Sequence, residues 1–391
     1  MKISFAVVLL LLLGLASSLS ADEGISPAEP PHASPGYLLH DSEYLQPLDP
    51  VPQASFDACA EYWKKRRGFA DKHAPAGIMG DHMHKAGEFM VEYKYMNMYM
   101  DGNRVGTQRV SDQQALTIGQ SLGTNFGATP TAMTMEMHMI HLMYGWSDDV
   151  TLYTMINLPS ITMDHLRNTP FPPNPPLAGT RFTTHNSGLG DTVFGALVRG
   201  YQDNQNDLIF NLAFSAPTGD LDRLTTVPTG GGAPQEFPYP MRLGSGTFNF
   251  RPGVTYKHYM EKGSLGMQFQ TDLPLGRNYD GYSVSDEFRL NNWYSHLVTD
   301  RFALSFRVEN LWKSNFSGFD RDVATTNPRV ISTNRPDMRG GYWLNFGYGA
   351  MLLVGNGHLL NFEIVQPIYQ DLDGIQLEAD FMLAASWSKA F

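Results

Sequence analysis

The sequence predicts an all-β fold, a twelve-stranded antiparallel transmembrane β-barrel with an N-terminal periplasmic extension. Three observations predict it. The chain closes on a two-residue alternation: Phe381, Leu383, Ala385, Trp387, Lys389 and Phe391 face one way, and Asp380, Met382, Ala384, Ser386, Ser388 and Ala390 the other. That is the period of a strand with one apolar and one polar side. The chain opens with Lys2, an apolar run from Phe5 to Leu15 and the small residues Ala16 to Ala21, which read as a secretory signal peptide cleaved near Ser20 or Ala21. After it no run of about 18 apolar residues follows, so such a chain crosses a membrane only as a closed barrel, which like a helix satisfies its own backbone in lipid. A soluble secreted β-sandwich is the competing expectation, disfavoured by the number, length and even pairing of the strands.

The elements follow in order. Residues 1–21 are the signal peptide. Residues 22–54 hold Pro27, Pro30, Pro31, Pro35, Pro47, Pro50 and Pro52 and read as a flexible segment. In residues 55–87, Ser55 caps a short helix to about Asp71 that carries Lys64, Lys65, Arg66 and Arg67. A His- and Met-rich stretch follows, and together they form a candidate plug for the periplasmic mouth. Residues 88–391 form the barrel. Its strands are expected at 88–100, 132–146, 150–163, 188–202, 206–217, 245–258, 264–275, 283–298, 301–317, 341–354, 358–369 and 378–391, long enough for the roughly 9–11 tilted residues that cross a bilayer.

Tight turns at 147–149, 203–205, 259–263, 299–300 and 355–357 alternate with longer loops at 101–131, 164–187, 218–244, 276–282, 318–340 and 370–377. This asymmetry predicts a bacterial outer-membrane barrel with both termini in the periplasm. Proline at 159, 217, 274 and 367 is expected to mark the outer rim, because it lacks the donor a ladder needs.

Phase assigns the faces. Phe302, Leu304, Phe306, Val308 and Trp312 face lipid, with Ser305, Arg307 and Glu309 inside. Leu265, Met267 and Phe269 face out, with Gln268, Gln270 and Asp272 inside. A charge on the lipid face costs about 2–4 kcal/mol at the midplane, which forces the charged phase inward. Tyr144, Trp146, Tyr256, Tyr342 and Trp387 are candidates for aromatic girdles.

Charge limits the partners. The full chain has 28 basic and 39 acidic residues, a net of −11; cleavage removes Lys2 and leaves −12. Nucleic acid is not an expected partner. The expected partners are outer-membrane lipid and the barrel-assembly machinery, which would read the strand ending in Phe391, with a periplasmic metal carrier at the N-terminal segment. Cys59 is the single cysteine, so no intrachain disulfide forms; it is expected as a small buried residue on the short helix.

The segment Ser187-Gly188-Leu189-Gly190-Asp191-Thr192, a strand, a turn, and then Phe214-Ser215-Ala216-Pro217-Thr218-Gly219-Asp220 resemble a family of proteobacterial outer-membrane proteins labelled "putative MetA-pathway of phenol degradation". The resemblance covers roughly residues 73 to 391. It implies a channel-like barrel for small molecules and brings no catalytic residues with it.

The methionines carry the chemistry. Of the 20 in the chain, thirteen lie between Met79 and Met163. Met133, Met135, Met137, Met139, His141 and Met143 share one face of the second strand, opposite Ile140, Leu142, Tyr144 and Trp146. That places the methionines in the lumen, although Glu136 and His138 share the lipid-side phase. Met90, Met96, Met98 and Met100 of the first strand and Met155 of the third take the same inward phase. Just upstream, His73, Met79, Asp81, His82, Met83 and His84 crowd into twelve residues.

Thioethers favour monovalent copper, and imidazole suits copper in either oxidation state. A ladder of weak neutral sites allows an ion both to enter and to leave a pore. These seventeen residues are therefore the candidate metal ligands. The leading expectation is an outer-membrane channel or transporter for a soft metal ion, with copper as cargo and no cofactor required. The alternative is passage of small apolar or aromatic, phenol-type compounds over the same slippery wall. Methionine acting only as a flexible core filler is the third reading. An enzyme is not expected. His185 and Ser187 are the one loose resemblance to an outer-membrane lipid hydrolase, the remote alternative.

Overall fold

The computed structural model describes residues 53–121, 126–168, 181–226, 234–321 and 331–391, together with the pairs 37–38 and 46–47. The expected signal peptide and most of the Pro-rich segment lie outside the described residues. Two units divide the chain, Met1–Tyr62 and Trp63–Phe391. Helix α1 spans Gln53–Arg66. Cys59 on it is exposed, not buried as expected, since the helix lacks the regular apolar stripe that would seat it. Among the described residues no helix is long and apolar enough to cross a membrane.

The second unit is an antiparallel barrel. Its strands are β1 (Phe89–Gly106), β2 (Gln108–Val110), β3 (Ala128–Ser147), β4 (Val150–Arg167), β5 (Arg181–Ser187), β6 (Thr192–Gln202), β7 (Asn206–Ala216), β8 (Asn249–Met260), β9 (Gly263–Pro274), β10 (Glu287–Thr299), β11 (Phe302–Lys313), β12 (Gly341–Val354) and β13 (His358–Ala390). Each barrel strand pairs with the next in sequence, and β13 returns to β1, closing a ring of eleven strands. Two lie outside that ring. β2 folds back on the end of β1, and β5 pairs along the far half of β4.

Alternation makes the walls. Phe306, Tyr348, Phe362 and Ile364 on three neighbouring strands are outward and exposed, while Arg307, Glu309 and Glu363 beside them are buried inward. Aromatics pair across strands on the outer face: Phe194, Phe214 and Phe250 stack at 6.2 and 5.1 Å between ring centres. Of the expected girdle residues, Tyr144, Trp146, Tyr256 and Trp387 sit near the short-turn end, and Tyr342 joins a row with Trp312 and Tyr369 toward the long loops.

Several boundaries differ from expectation. β1, β3 and β4 run 18, 20 and 18 residues, well past their expected ends, so one side of the barrel stands taller than the rest. The loop expected at 101–131 contains β2 and helix α2 (Asp112–Ser121). Ser111 Oγ accepts from the Gln114 amide while Gln114 Oε1 accepts from the Ser111 amide, a capping box that starts the helix.

The strand expected at 188–202 begins at Thr192, because residues 188–191 bulge out between β5 and β6. Pro159 and Pro367 lie inside strands rather than at the rim. The Gly188 amide donates to the Pro159 carbonyl. A strand residue's N and O point to the same side, so the missing donor of Pro159 faces the bulge and breaks no ladder bond. Pro367 sits at the register shift opposite Asn345.

The two strands expected at 358–369 and 378–391 form one extended element of 33 residues. Its first part pairs with β12 from His358 to Leu372 and its second with β1 from Leu372 to Ala390. Gly374 between them is left-handed, at φ 71°.

Candidate functional site

Residues 66–88 lie inside the short-turn end of the barrel. Lumen side chains hold the segment by its backbone. Lys257 Nζ donates to the Lys72 carbonyl at 2.6 Å, Asn361 Nδ2 to Ala74 at 2.9 Å, Lys94 Nζ to Ile78 at 3.1 Å and Gln268 Nε2 to Met79 at 2.8 Å. The Gly77 amide donates to Glu363 Oε2 at 2.7 Å. A Cβ on Gly77 would lie 2.6 Å from Arg307 and 2.7 Å from Glu363, so only glycine brings the backbone this close. At the base, Arg66 and Asp71 form a fully buried two-pronged ion pair, the strong geometry for such a pair. The basic cluster read from the sequence thus splits between a buried anchor and Arg67, which pairs with Asp207.

Above the plug lie two cavities of about 470 and 480 Å³ that share Met96, Met98, Met135 and Met382. Strand register puts the methionines opposite one another: Met96 with Met137, Met98 with Met135, Met100 with Met133 and, from β13, Met382 with Met98. Met79 of the plug, Met139 and Met155 complete the thioether wall of the lower cavity.

Facing it are charges that pair among themselves. Arg251 meets Asp272, Arg289 meets Glu287 and Glu309, and Arg307 meets Glu309 and Glu363. The roof is tied by Arg242, which reaches Glu236, Asp280 and Asp320 on three separate loops. Sequence reasoning missed Arg242, because loop residues carry no period that would reveal a shared partner.

All seventeen candidate residues lie in the plug or on the lumen face. Met90, Met143 and Met83 pack into a core with Leu197 and Ile209, while Met139 and Met155 pack with Val193 and Ala213 and also line the lower cavity. Met96, Met98, Met100, Met133, Met135 and Met137 line the open cavities.

The histidines gather elsewhere. His73, His82 and His141 line a separate cavity of about 20 Å³ with Asp81, Glu92, Met79 and Met90. The rings of His73 and His82 are 4.2 Å apart, and His84 stands 5.2 Å from His82. Donor atoms of His73, Asp81 and His82 fall within 4.8 Å of one another.

Burial governs the ionisation of His73 and His84. It pushes His73 well below the usual imidazole range, with His82 and Lys72 adding to the effect. It takes His84 down to about 3, helped again by His82. Burial opposes the Asp81 carboxylate, but His82 and Lys257 outweigh it and hold the carboxyl well below its ordinary value.

The outward polar residues have partners. Tyr93 Oη lies 2.6 Å from His138 Nδ1, and Tyr95 donates to Glu136 at 2.7 Å. His185 bonds Thr162 at 3.0 Å on the outer face, and the structure offers no His185–Ser187 pair of the kind a hydrolase needs.

A model of one protein family, described as "Putative MetA-pathway of phenol degradation", matches residues 111–364. No curated protein matches the sequence. Among solved structures, the chain is similar to an outer membrane channel from Pseudomonas putida F1. The two share 14% identity over 80% of this chain and 99% of that one, with a TM-score of 0.53. More distant are the transport unit of the autotransporter AIDA-I from Escherichia coli (8% identity, 84% and 96% covered, TM-score 0.41) and a Pseudomonas aeruginosa FadL homologue (12%, 78% and 89%, 0.32).

Proposed function

The chain belongs to the family described as "Putative MetA-pathway of phenol degradation", and from that premise we propose that it is an outer-membrane channel passing small apolar or aromatic compounds. The observation that carries this reading is the thioether wall, a soft apolar surface along one side of the central cavities. Methionine adapts its shape and favours aromatic rings, and lumen sites of this kind bind weakly enough to release what they take up. The family description and the channel fold of the Pseudomonas putida protein support it.

Copper as cargo, the first expectation from the sequence, has less behind it. The imidazoles of His73 and His82 that would gather the ion and the wall that would pass it on line different cavities, with Met79 lining both and His141 sharing a third small cavity with Met79 and Met155.

We count twelve membrane crossings. A straight strand of 33 residues would run about 110 Å, so β13 reverses near Gly374 and supplies two of them. The outward apolar belt faces lipid, and both termini lie at the short-turn, periplasmic side.

The test is uptake of phenol and toluene into vesicles carrying the purified chain. Flux above protein-free vesicles is expected. Met98→Gln with Met135→Gln should lower it about tenfold, since a polar group put in place of an apolar contact costs about 1–3 kcal/mol. Absence of aromatic flux, with silver crossing instead, would return the metal reading to first place.

A further inference from the structure

The small histidine cavity has a construction that solute passage does not use. His82 Nδ1 lies 2.9 Å from Asp81 Oδ1, and His141 Nδ1 lies 3.1 Å from Glu92 Oε2. Each carboxylate holds the proton on Nδ1, which leaves the Nε2 lone pair bare. Both Nε2 atoms are buried with no hydrogen-bond partner, as is that of neighbouring His84. His141 is 4% exposed, so its bare nitrogen has no bulk water to turn to. A carboxylate behind each imidazole is the arrangement that orients histidines toward a metal and raises their basicity. The cavity of about 20 Å³ has room for one small occupant.

From this geometry we infer that the plug carries a resident monovalent soft metal ion, copper(I), held by the imidazoles of His73 and His82, whose donor atoms lie within 4.8 Å of one another, in a cavity that His141 of strand β3 also lines. Charge selects the monovalent ion. Lys257 Nζ lies 3.8 Å from Asp81 and Lys94 Nζ 3.5 Å from Glu92, so the two carboxylates are already balanced. A divalent ion would add twice the uncompensated charge in a buried site, where unpaired charge is costly. The thioethers of Met79 and Met90 in the same lining point the same way, since sulfur donors select copper(I) among biological ions. The ion would tie His73 to His82 within the plug. It would be a fixed component of the barrel rather than its cargo, so this inference stands or falls independently of aromatic passage.

The experiment uses the full chain in detergent, stripped with a chelator. It is loaded separately with copper(I) under reducing, oxygen-free conditions, with silver(I) as a redox-inert probe, and with zinc(II). After desalting, metal per chain is measured. One copper(I) or silver(I) per chain is expected, with nitrogen as the dominant scatterer in X-ray absorption. The combined His73→Gln and His82→Gln variant should lose it, whereas Met135→Leu with Met137→Leu should retain it.

Heat-modifiable migration on a gel checks that each variant is folded. Should the double variant fail that check, Asp81→Asn serves instead and should weaken binding about tenfold. Absence of a retained ion, retention that survives loss of the histidines or of the Asp81 charge, or preference for zinc would each overturn the inference.

Discussion

Glu363 shows how much a single lumen residue holds. It accepts from Arg307 at 2.7 Å and from the Gly77 amide at 2.7 Å, and it is fully buried. Removing one partner of a buried pair leaves the other charge unmatched, at about 3–5 kcal/mol. Arg307 keeps Glu309 at 2.6 Å, so the low end of that range applies. Glu363→Gln is therefore expected to leave the barrel closed but loosen the plug. Limited proteolysis should cut within residues 66–88 faster than in the unaltered chain, and an unchanged rate would show that Glu363 does not hold the plug. The inward phase of Glu363 is legible in the sequence from Phe362 and Ile364 on either side. Its contact with Gly77, 286 residues away, is not, because no local pattern encodes a partner across the lumen.

The plug and the strands are separable elements. The ring from β1 through β13 closes through strand-to-strand pairing alone, and the plug adds hydrogen bonds from lumen side chains to its backbone. Deleting residues 53–86 is expected to leave a heat-modifiable barrel whose single-channel conductance rises several-fold. Unchanged conductance would place the constriction at the loop roof knotted by Arg242. The plug runs into β1 beside Gly145, where a Cβ would lie 1.9 Å from the Lys85 carbonyl, so Gly145→Val should displace that junction together with the backbone bonds Gly145 makes to Gly87 and Glu88. Among elements, the strands were legible because alternation is strong and repeated. Helix α2 was missed although Ser111 and Gln114 hold the spacing of a capping box. The bulge at 188–191 was missed because a bulge changes pairing without changing composition.

At the scale of the whole molecule, acidity should act on the plug before the barrel. Burial lowers the His84 pKa from 6.5 to about 3. Between those values a released plug binds a proton that the seated plug does not, so seating is complete above about pH 6.5 and weakens as pH falls toward 3. Asp81, held low in the seated plug, adds a loss of the same sign at the acid end, below its ordinary value of 3.8. Conductance is thus expected to rise on acidification from pH 7 to pH 4 and to recover on return; a flat profile would exclude His84 as the latch. The sequence by itself determined the faces: a period of two residues is a local property, and it sorted most thioethers and charges inward and most aromatics outward along the long strands, with Glu136, His138 and Met267 as exceptions. Only the tertiary structure decided the neighbours, setting His73 and His82 in a cavity apart from most of the methionine wall and binding Gly77 to Glu363. Which side chains meet across a closed ring depends on registers accumulated around all its strands, and no stretch of sequence contains that total.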